Sequence, residues 1–357
     1  MIEEYFKAEK TACNEELERY FENLYKREKE VLLGDFINQL KEFVTNEKAK
    51  RIHPILLTAA FNGIINPMYL EDQIAEIQKV SISIELLHNG HIIYDDLIDD
   101  DEIRRGKPSF HVQLMNEIDQ IYKNLIFTEK DKRIKLYGRN LGVLGGLMGY
   151  SLGMDVIKSS RFPEQLKLLA INEYTEAMDY LMKGQIVEEF MNYHNMTMTL
   201  EQYLNIAEMQ KARLFEKSTK IGAIFAKGNN HYQIKPLGEA MLKIGQAYAI
   251  RDDILDMKDD IKNKKKKFVY ILAVQNTNEE QSKILNENYR KDEISNNDIK
   301  QVEYVFAETN ALVIAEHFSK NLMEQAKNLL KDIYPDLNRK QKEFFNEFAE
   351  FTYKRNY

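Results

Sequence analysis

Two copies of one acidic pattern, Asp-Asp-x-x-Asp, stand in this 357-residue chain: Asp95, Asp96 and Asp99, and again Asp252, Asp253 and Asp256. Each follows an apolar run of helical character, VSISIELLHNGHIIY before the first and AMLKIGQAYAI before the second. Residues four apart share a helix face, so each cluster aims two carboxylates one way with a third close by. A single patch of this kind is ordinarily solvated surface charge. Two copies with the same spacing and similar flanks ask instead for cations. Mg²⁺ suits them, because it takes oxygen ligands, uses one or two carboxylates, and completes its shell with water and substrate phosphates. The implied substrate is a phosphate or diphosphate ester held through metal. A Ca²⁺ loop does not fit DDLIDDDEIRRG, whose sixth position lacks the glycine that the sharp turn needs.

Charged residues beside the clusters extend this chemistry. Arg104 and Arg105 follow the first cluster and supply fixed donors for phosphate oxygens. Gly106 and Pro108 are expected to end the helix there. Upstream, Ala49-Lys50-Arg51-Ile52-His53-Pro54 precedes another apolar helix, whose start could hold a second anion. The run Lys264–Lys267 follows the second cluster and reads either as a solvated loop or as a phosphate contact.

The elements that position these groups are helices. Apolar residues are 44% of the chain, enough for a large core. They repeat at helical spacing in segments such as ISIELLHNGHIIYDDLI, with little period-two alternation, so the fold is expected to be all-α. Six prolines and no Ser/Gly linker suggest one domain over residues 1–357. A net charge of −7 argues against nucleic acid as a partner. The lone Cys13 fits a reducing compartment, and MIEEYFKAEK lacks the apolar core of a secretory signal; a cytoplasmic location is expected. LGVLGGLMGYSLGMDVI is too short for a membrane span. Six of the fifteen glycines lie between Gly138 and Gly153, with Gly145, Gly149 and Gly153 four apart. Such a row lets another backbone approach closely, so a buried helix crossing, within the chain or between subunits, is expected there.

Together these segments resemble the trans-isoprenyl diphosphate synthases, geranylgeranyl diphosphate synthases in particular. ELLHNGHIIYDDLIDDDEIRRGKP at 85–108 is similar to the first aspartate-rich region of that family and RDDILD at 251–256 to the second. KGQIVEE at 183–189 is similar to its Gly-Gln motif, and LFEKSTKIGAIFA at 214–226 to the helix before the second region. The resemblance implies an all-α, homodimeric enzyme of the isoprenoid synthase type, built around a central cavity. It would join an allylic diphosphate to isopentenyl diphosphate. It implies Mg²⁺, three ions, held with the allylic diphosphate by Asp95, Asp96, Asp99, Asp252, Asp253 and Asp256, with Arg104 beside them. It places isopentenyl diphosphate on Lys50, His88 and Arg105, and Gln185 along the cavity. The places four and five before Asp95, His91 and Gly90, would set product length. Gly90 would leave room for geranylgeranyl diphosphate or longer, and His91 would be a partial floor.

Several positions depart from the family. Its Gly-Lys-x-x-Arg stands here as Ala49-Lys50-Arg51-Ile52-His53, so His53 or Arg51 would have to replace an arginine. Its Lys-Thr pair stands as Gln210-Lys211, which turns Lys211 about 100° from the family lysine and away from the inward face. Lys265 resembles a loop lysine after the second cluster. Residues 113–136 look inserted, and Leu147 stands where the family tends to have Asp. Two other functions are compatible with these changes. One is a class I terpene synthase that ionises a prenyl diphosphate without isopentenyl diphosphate. The other is a non-catalytic subunit of a heteromeric synthase.

Overall fold

The computed structural model describes residues 2–123, 129–194, 196 and 198–354. Its elements are helical apart from one two-stranded hairpin, as the apolar spacing predicts. The chain divides into two compact units, Met1–Met178 with Ile221–Lys227, and Asp179–Lys220 with Gly228–Tyr357.

In the first unit come α1 (Ile2–Arg27), α2 (Val31–Val44), α3 (Ile52–Ile64) and α4 (Leu70–Ile98). Strands β1 (Ile103–Arg104) and β2 (Lys107–Pro108) follow, then α5 (Phe110–Ile121), α6 (Lys130–Ser159) and the first half of α7 (Glu164–Tyr193). On α1, Cys13, Leu17 and Phe21 recur every four residues and bury in one cluster with Ile37, Leu40 and Val44 of α2. Nearly every residue of α3 is buried, in keeping with its mostly apolar sequence. The expected insertion at 113–136 ends α5 and begins α6; its residues 124–128 lie outside the described residues.

The glycine-rich face of α6 lies against α4 and α5 of the same chain. A Cβ on Gly149 would sit 2.8 Å from the Gly90 Cα, and one on Gly90 would sit 2.7 Å from the Gly146 carbonyl oxygen. Only glycine permits this approach. Gly142 and Gly145 face Leu97 and Phe110.

The second unit holds α8 (Leu200–Ala207), most of α9 (Arg213–Phe225) and α10 (Lys235–Leu255). After them come α11 (Met257–Lys262), α12 (Phe268–Asn276), α13 (Glu279–Tyr289), α14 (Asn296–Glu308), α15 (Ala311–Lys331) and α16 (Arg339–Lys354). Capping boxes at Thr199/Gln202 and Asn278/Gln281 start α8 and α13. Ile244, Ala247 and Ile250 of α10 and Ala315, Leu322 and Met323 of α15 belong to its core. A π-helical turn, Glu208–Ala212, separates α8 from α9. Among the described residues no helix is long and apolar enough to cross a membrane.

Candidate active site

Both acidic clusters sit at the C-terminal ends of their helices. Asp95 and Asp96 close α4 and Asp99 caps it; Asp252 and Asp253 close α10 and Asp256 caps it. Neither last turn holds a basic residue. The helix dipole disfavours negative charge at this end, so both ends call for cations from elsewhere.

The three aspartates of each cluster differ in the same way. Asp96 and Asp253, the middle members, are buried, whereas Asp99 and Asp256 are exposed and Asp95 and Asp252 are half-exposed. In the first unit, Arg104 Nε donates to Asp96 Oδ1 at 2.6 Å, and Arg104 Nη2 reaches Asp95 Oδ2 at 3.3 Å and Asp101 Oδ2 at 3.1 Å. Burial pushes the Asp96 carboxyl up to about 6 although Arg104 pulls it down. In the second unit, Asp253 Oδ2 accepts from the Tyr203 hydroxyl and, at 2.9 Å, from the Phe268 N–H that opens α12. The middle aspartates are therefore buried against protein, and the more exposed outer pair of each cluster presents carboxylates outward.

This donor set fits Mg²⁺. The outer carboxylates are hard oxygen ligands, and Asp96 Oδ2 is buried with no hydrogen-bond partner. Among the described residues no three or more His, Cys, Asp or Glu side chains surround a single metal position. An ion that needs only one or two carboxylates and otherwise binds substrate phosphate does not require such a cage.

The Arg104–Arg105 segment is a hairpin rather than a helix end. Ile103 pairs with Pro108 and Arg104 with Lys107. Arg105 and Gly106 both have positive φ, 55° and 74°, as a two-residue type I′ turn demands. The helix expected to stop at Gly106 stops instead at Ile98, before the acidic cluster ends. The hairpin folds Arg104 back onto the aspartates and puts Arg105 Nη1 3.0 Å from Asn89 Oδ1 on α4.

The predicted isopentenyl-site residues meet different fates. Lys50 is exposed. Arg51, with φ 57°, is buried: Nε bonds Asn14 Oδ1 at 2.9 Å, Nη1 bonds Glu85 at 2.5 Å, and Nη2 bonds the Val44 carbonyl at 2.7 Å. Its donors are spent within the protein, so Arg51 does not offer the substrate contact expected of it. Burial alone would raise the Glu85 carboxyl, but Arg51, His88 and Arg105 hold it at about 2. His53 is buried edge-to-face on the half-buried His88 with centroids 4.7 Å apart. Burial lowers His53 to about 4, against a smaller upward pull from Glu85. Burial, then His53, takes His88 well below its ordinary value. Both rings are neutral near pH 7, so His53 does not replace an arginine's charge.

The expectation for Gly90 is also corrected. It opens no room for a growing chain, because α6 backbone fills the space beside it. His91 is buried, 3.3 Å from the Tyr150 hydroxyl, and burial lowers its pKa to about 4.

In the second unit Lys211, expected to turn away, reaches Asp252 Oδ2 at 3.1 Å. It lies on the π turn Glu208–Ala212, which closes over one residue more than an α turn and so shifts the register. Gln210, in the place of the family lysine, bonds Gln185 at 3.1 Å and Glu188 at 2.7 Å. Gln185 is buried. Lys265 is exposed, whereas Lys267 Nζ bonds Glu188 at 2.7 Å and Lys264 Nζ bonds the Lys291 carbonyl at 3.0 Å. Tyr203 was not found from sequence; Glu85, Asn89, Glu188 and Lys267 lie inside segments that the sequence marks, but their partners are not legible there.

The sequence model described as polyprenyl synthetase matches residues 35–306, a span that holds both acidic clusters, the hairpin and the π turn. The chain belongs to the polyprenyl synthetase family. It is thus an enzyme of the prenyltransferase class, and its relatives agree. It is 28% identical over 268 residues to a short chain isoprenyl diphosphate synthase of Methanocaldococcus jannaschii, covering 71% of this chain and 70% of that one. It is 26% identical over 324 residues to a geranylfarnesyl diphosphate synthase of Aeropyrum pernix, covering 86% and 90%. Its fold is similar to that of a geranylgeranyl pyrophosphate synthase from Corynebacterium glutamicum, solved with isoprenyl diphosphate and magnesium. The TM-score is 0.85 at 19% identity, over 98% of this chain and 99% of that one.

Proposed function

We propose that this prenyl diphosphate synthase condenses an allylic diphosphate with isopentenyl diphosphate in a Mg²⁺-dependent reaction. The proposed product is geranylgeranyl diphosphate or longer. The observation that carries the reading is the shared layout of the two clusters. Each has a buried middle aspartate, an outward pair at a helix C-terminus, and one cation in contact, Arg104 or Lys211.

In this mechanism Asp95 and Asp99 of one cluster and Asp252 and Asp256 of the other would hold Mg²⁺, three ions in all, with the allylic diphosphate. Bound Mg²⁺ neutralises charge developing on the departing diphosphate. Arg104 and Lys211 add fixed positive charge as the allylic C–O bond ionises. Asp96 and Asp253 keep Arg104 and α12 in place. Lys50 and Arg105 hold isopentenyl diphosphate, with His88 as a neutral hydrogen-bonding partner. Gln185 and Lys265 are assigned to the substrate region as well. No protein nucleophile is needed. A product of twenty carbons or more is supported by the likeness to a geranylfarnesyl diphosphate synthase, not by Gly90, which packs against α6.

The same proposal takes residues 1–357 as one isoprenoid synthase domain with an insertion at 113–136. It takes the enzyme as a homodimer, supported by the exposed Val143, Leu144 and Leu147 on α6, and as cytoplasmic, in keeping with the lone reduced Cys13. One observation favours a second reading. The neutral, buried His53 leaves the isopentenyl site short of a charge, as in a terpene synthase that never uses isopentenyl diphosphate.

Asp95→Ala and Asp252→Ala test the metal assignment. Each should remove turnover while the circular-dichroism spectrum and melting temperature stay near those of the parent. Activity close to the parent's in either variant, at saturating Mg²⁺, would remove the basis of the proposal.

A further inference from the structure

We propose that Lys10, on the first helix, is a diphosphate-binding residue of the isopentenyl site, supplying the charge that His53 lacks. The inference rests on the condensation reading above and adds a residue to it from outside the span matched by the family.

Lys10 and Asn14 lie four apart on one face of α1. Asn14 Oδ1 accepts from Arg51 Nε at 2.9 Å, and Lys10 Nζ donates to the Glu47 carbonyl at 2.6 Å. Helix α1 is therefore fixed against both sides of the 47–51 segment that carries Lys50. The Glu47 bond uses one of the three N–H groups of Lys10 and leaves two for a ligand.

Cations gather in this neighbourhood. Lys48 Nζ lies 2.7 Å from where a Cβ on Gly106 would be, at the tip of the hairpin that carries Arg105. Burial lowers the pKa of Lys10, and Arg51 and Arg105 lower it further; Glu47 and Glu85 oppose them. Arg51 is already paired with Glu85, and His53 and His88 are neutral. Lys10, Lys48 and Arg105 thus add positive charge around two carboxylates, the buried Glu85, which Arg51 already pairs, and the exposed Glu47. Bringing like charges together costs free energy unless an anion joins them, and a diphosphate carries enough charge and acceptors to satisfy all three. Lys48 sits on the exposed loop, whereas Lys10 is half-buried and pre-oriented by Glu47, so less ordering is needed when it binds.

The full-length enzyme tests this with Lys10→Gln, which keeps a donor for Glu47 but removes the charge, and Lys10→Arg, which keeps both. Steady-state kinetics with farnesyl diphosphate and isopentenyl diphosphate, and calorimetric titration with isopentenyl diphosphate alone, are the readouts. Lys10→Gln should raise KM for isopentenyl diphosphate about 10- to 100-fold, the effect of one charged hydrogen bond, and weaken calorimetric binding in parallel. KM for farnesyl diphosphate should stay the same, and Lys10→Arg should remain close to the parent. Unchanged isopentenyl diphosphate binding in Lys10→Gln, in an enzyme whose parent condenses normally, would overturn the Lys10 assignment and leave the condensation reading intact. Equal losses for both substrates with a lower melting temperature would also overturn it, by making Lys10 a structural tie. A parent enzyme that neither binds nor incorporates isopentenyl diphosphate would overturn the condensation reading itself, and Lys10 with it.

Discussion

Lys211 Nζ stands 3.1 Å from Asp252 Oδ2, and it does so from a π turn. Counted along an α-helix, Lys211 is one place away from where a lysine meets the second acidic cluster. The wider turn at Glu208–Ala212 absorbs that place. The contact raises the Lys211 pKa, burial opposing and Asp252 and Asp253 prevailing, so the ammonium stays charged across the working pH range.

Lys211→Met should therefore lower kcat/KM for the allylic substrate by about 10- to 100-fold, the usual effect of losing one charged hydrogen bond. Moving the lysine back by one place, Gln210→Lys with Lys211→Thr, should not restore activity. Position 210 faces Gln185 and Glu188 rather than Asp252. Parent-like kcat/KM in the double variant would show that the π turn is not what aims the lysine.

Gly90→Ala should destabilise the protein by about 1–3 kcal/mol, the usual cost of overpacking, because its new Cβ would press on the Gly146 carbonyl. Product length should not change, since this side of α4 faces α6. Denaturant midpoints and product masses check both halves. A variant of parental stability that makes shorter chains would restore Gly90 as a wall of the cavity.

Glu85→Gln should cost about 3–5 kcal/mol, because it leaves the buried Arg51 guanidinium without its carboxylate. Equilibrium unfolding in urea reads this directly. A loss below about 1 kcal/mol would mean that Asn14 and the Val44 carbonyl are sufficient partners.

The pH dependence of stability follows from His53. Its folded pKa is about 4 against an ordinary 6.5, so between those values the unfolded chain binds more protons. Stability from His53 is therefore present above about pH 6.5 and is lost as pH falls toward 4. Asp96, raised to about 6, has the opposite sign over the same window, so the whole-protein profile mixes the two. The difference between parent and His53→Asn reports His53 together with the part of the His88 shift that it causes. From about pH 7 to pH 4 the parent should lose on the order of 3 kcal/mol more than the variant. Parallel profiles would place a charged, solvated imidazole at 53.

The sequence was readable where the physics is local. Four-residue spacing alone put Asp95 with Asp99 and Asp252 with Asp256, and apolar periodicity alone gave helices. It was unreadable where a partner distant in sequence decides. Gly90 looked like empty space because nothing nearby in sequence reveals Gly146 and Gly149 behind it. The row of glycines in α6 was visible, but not the helix it receives. Arg51 looked like a ligand-binding arginine until Asn14, Val44 and Glu85 were seen to hold all three of its nitrogens. The π turn has no sequence signature, so Lys211 was misdirected by a count that assumed an α-helix. Lys267 lay hidden in a run of four lysines, of which structure alone shows that it bonds Glu188.

The most direct test of the central claim is product mass after incubation of the enzyme with Mg²⁺, farnesyl diphosphate and isotopically labelled isopentenyl diphosphate. Condensation predicts labelled prenyl diphosphates of twenty carbons or more and no reaction when Mg²⁺ is chelated. Consumption of the allylic diphosphate alone, with release of pyrophosphate and an unlabelled hydrocarbon or alcohol, would contradict it and establish ionisation without condensation.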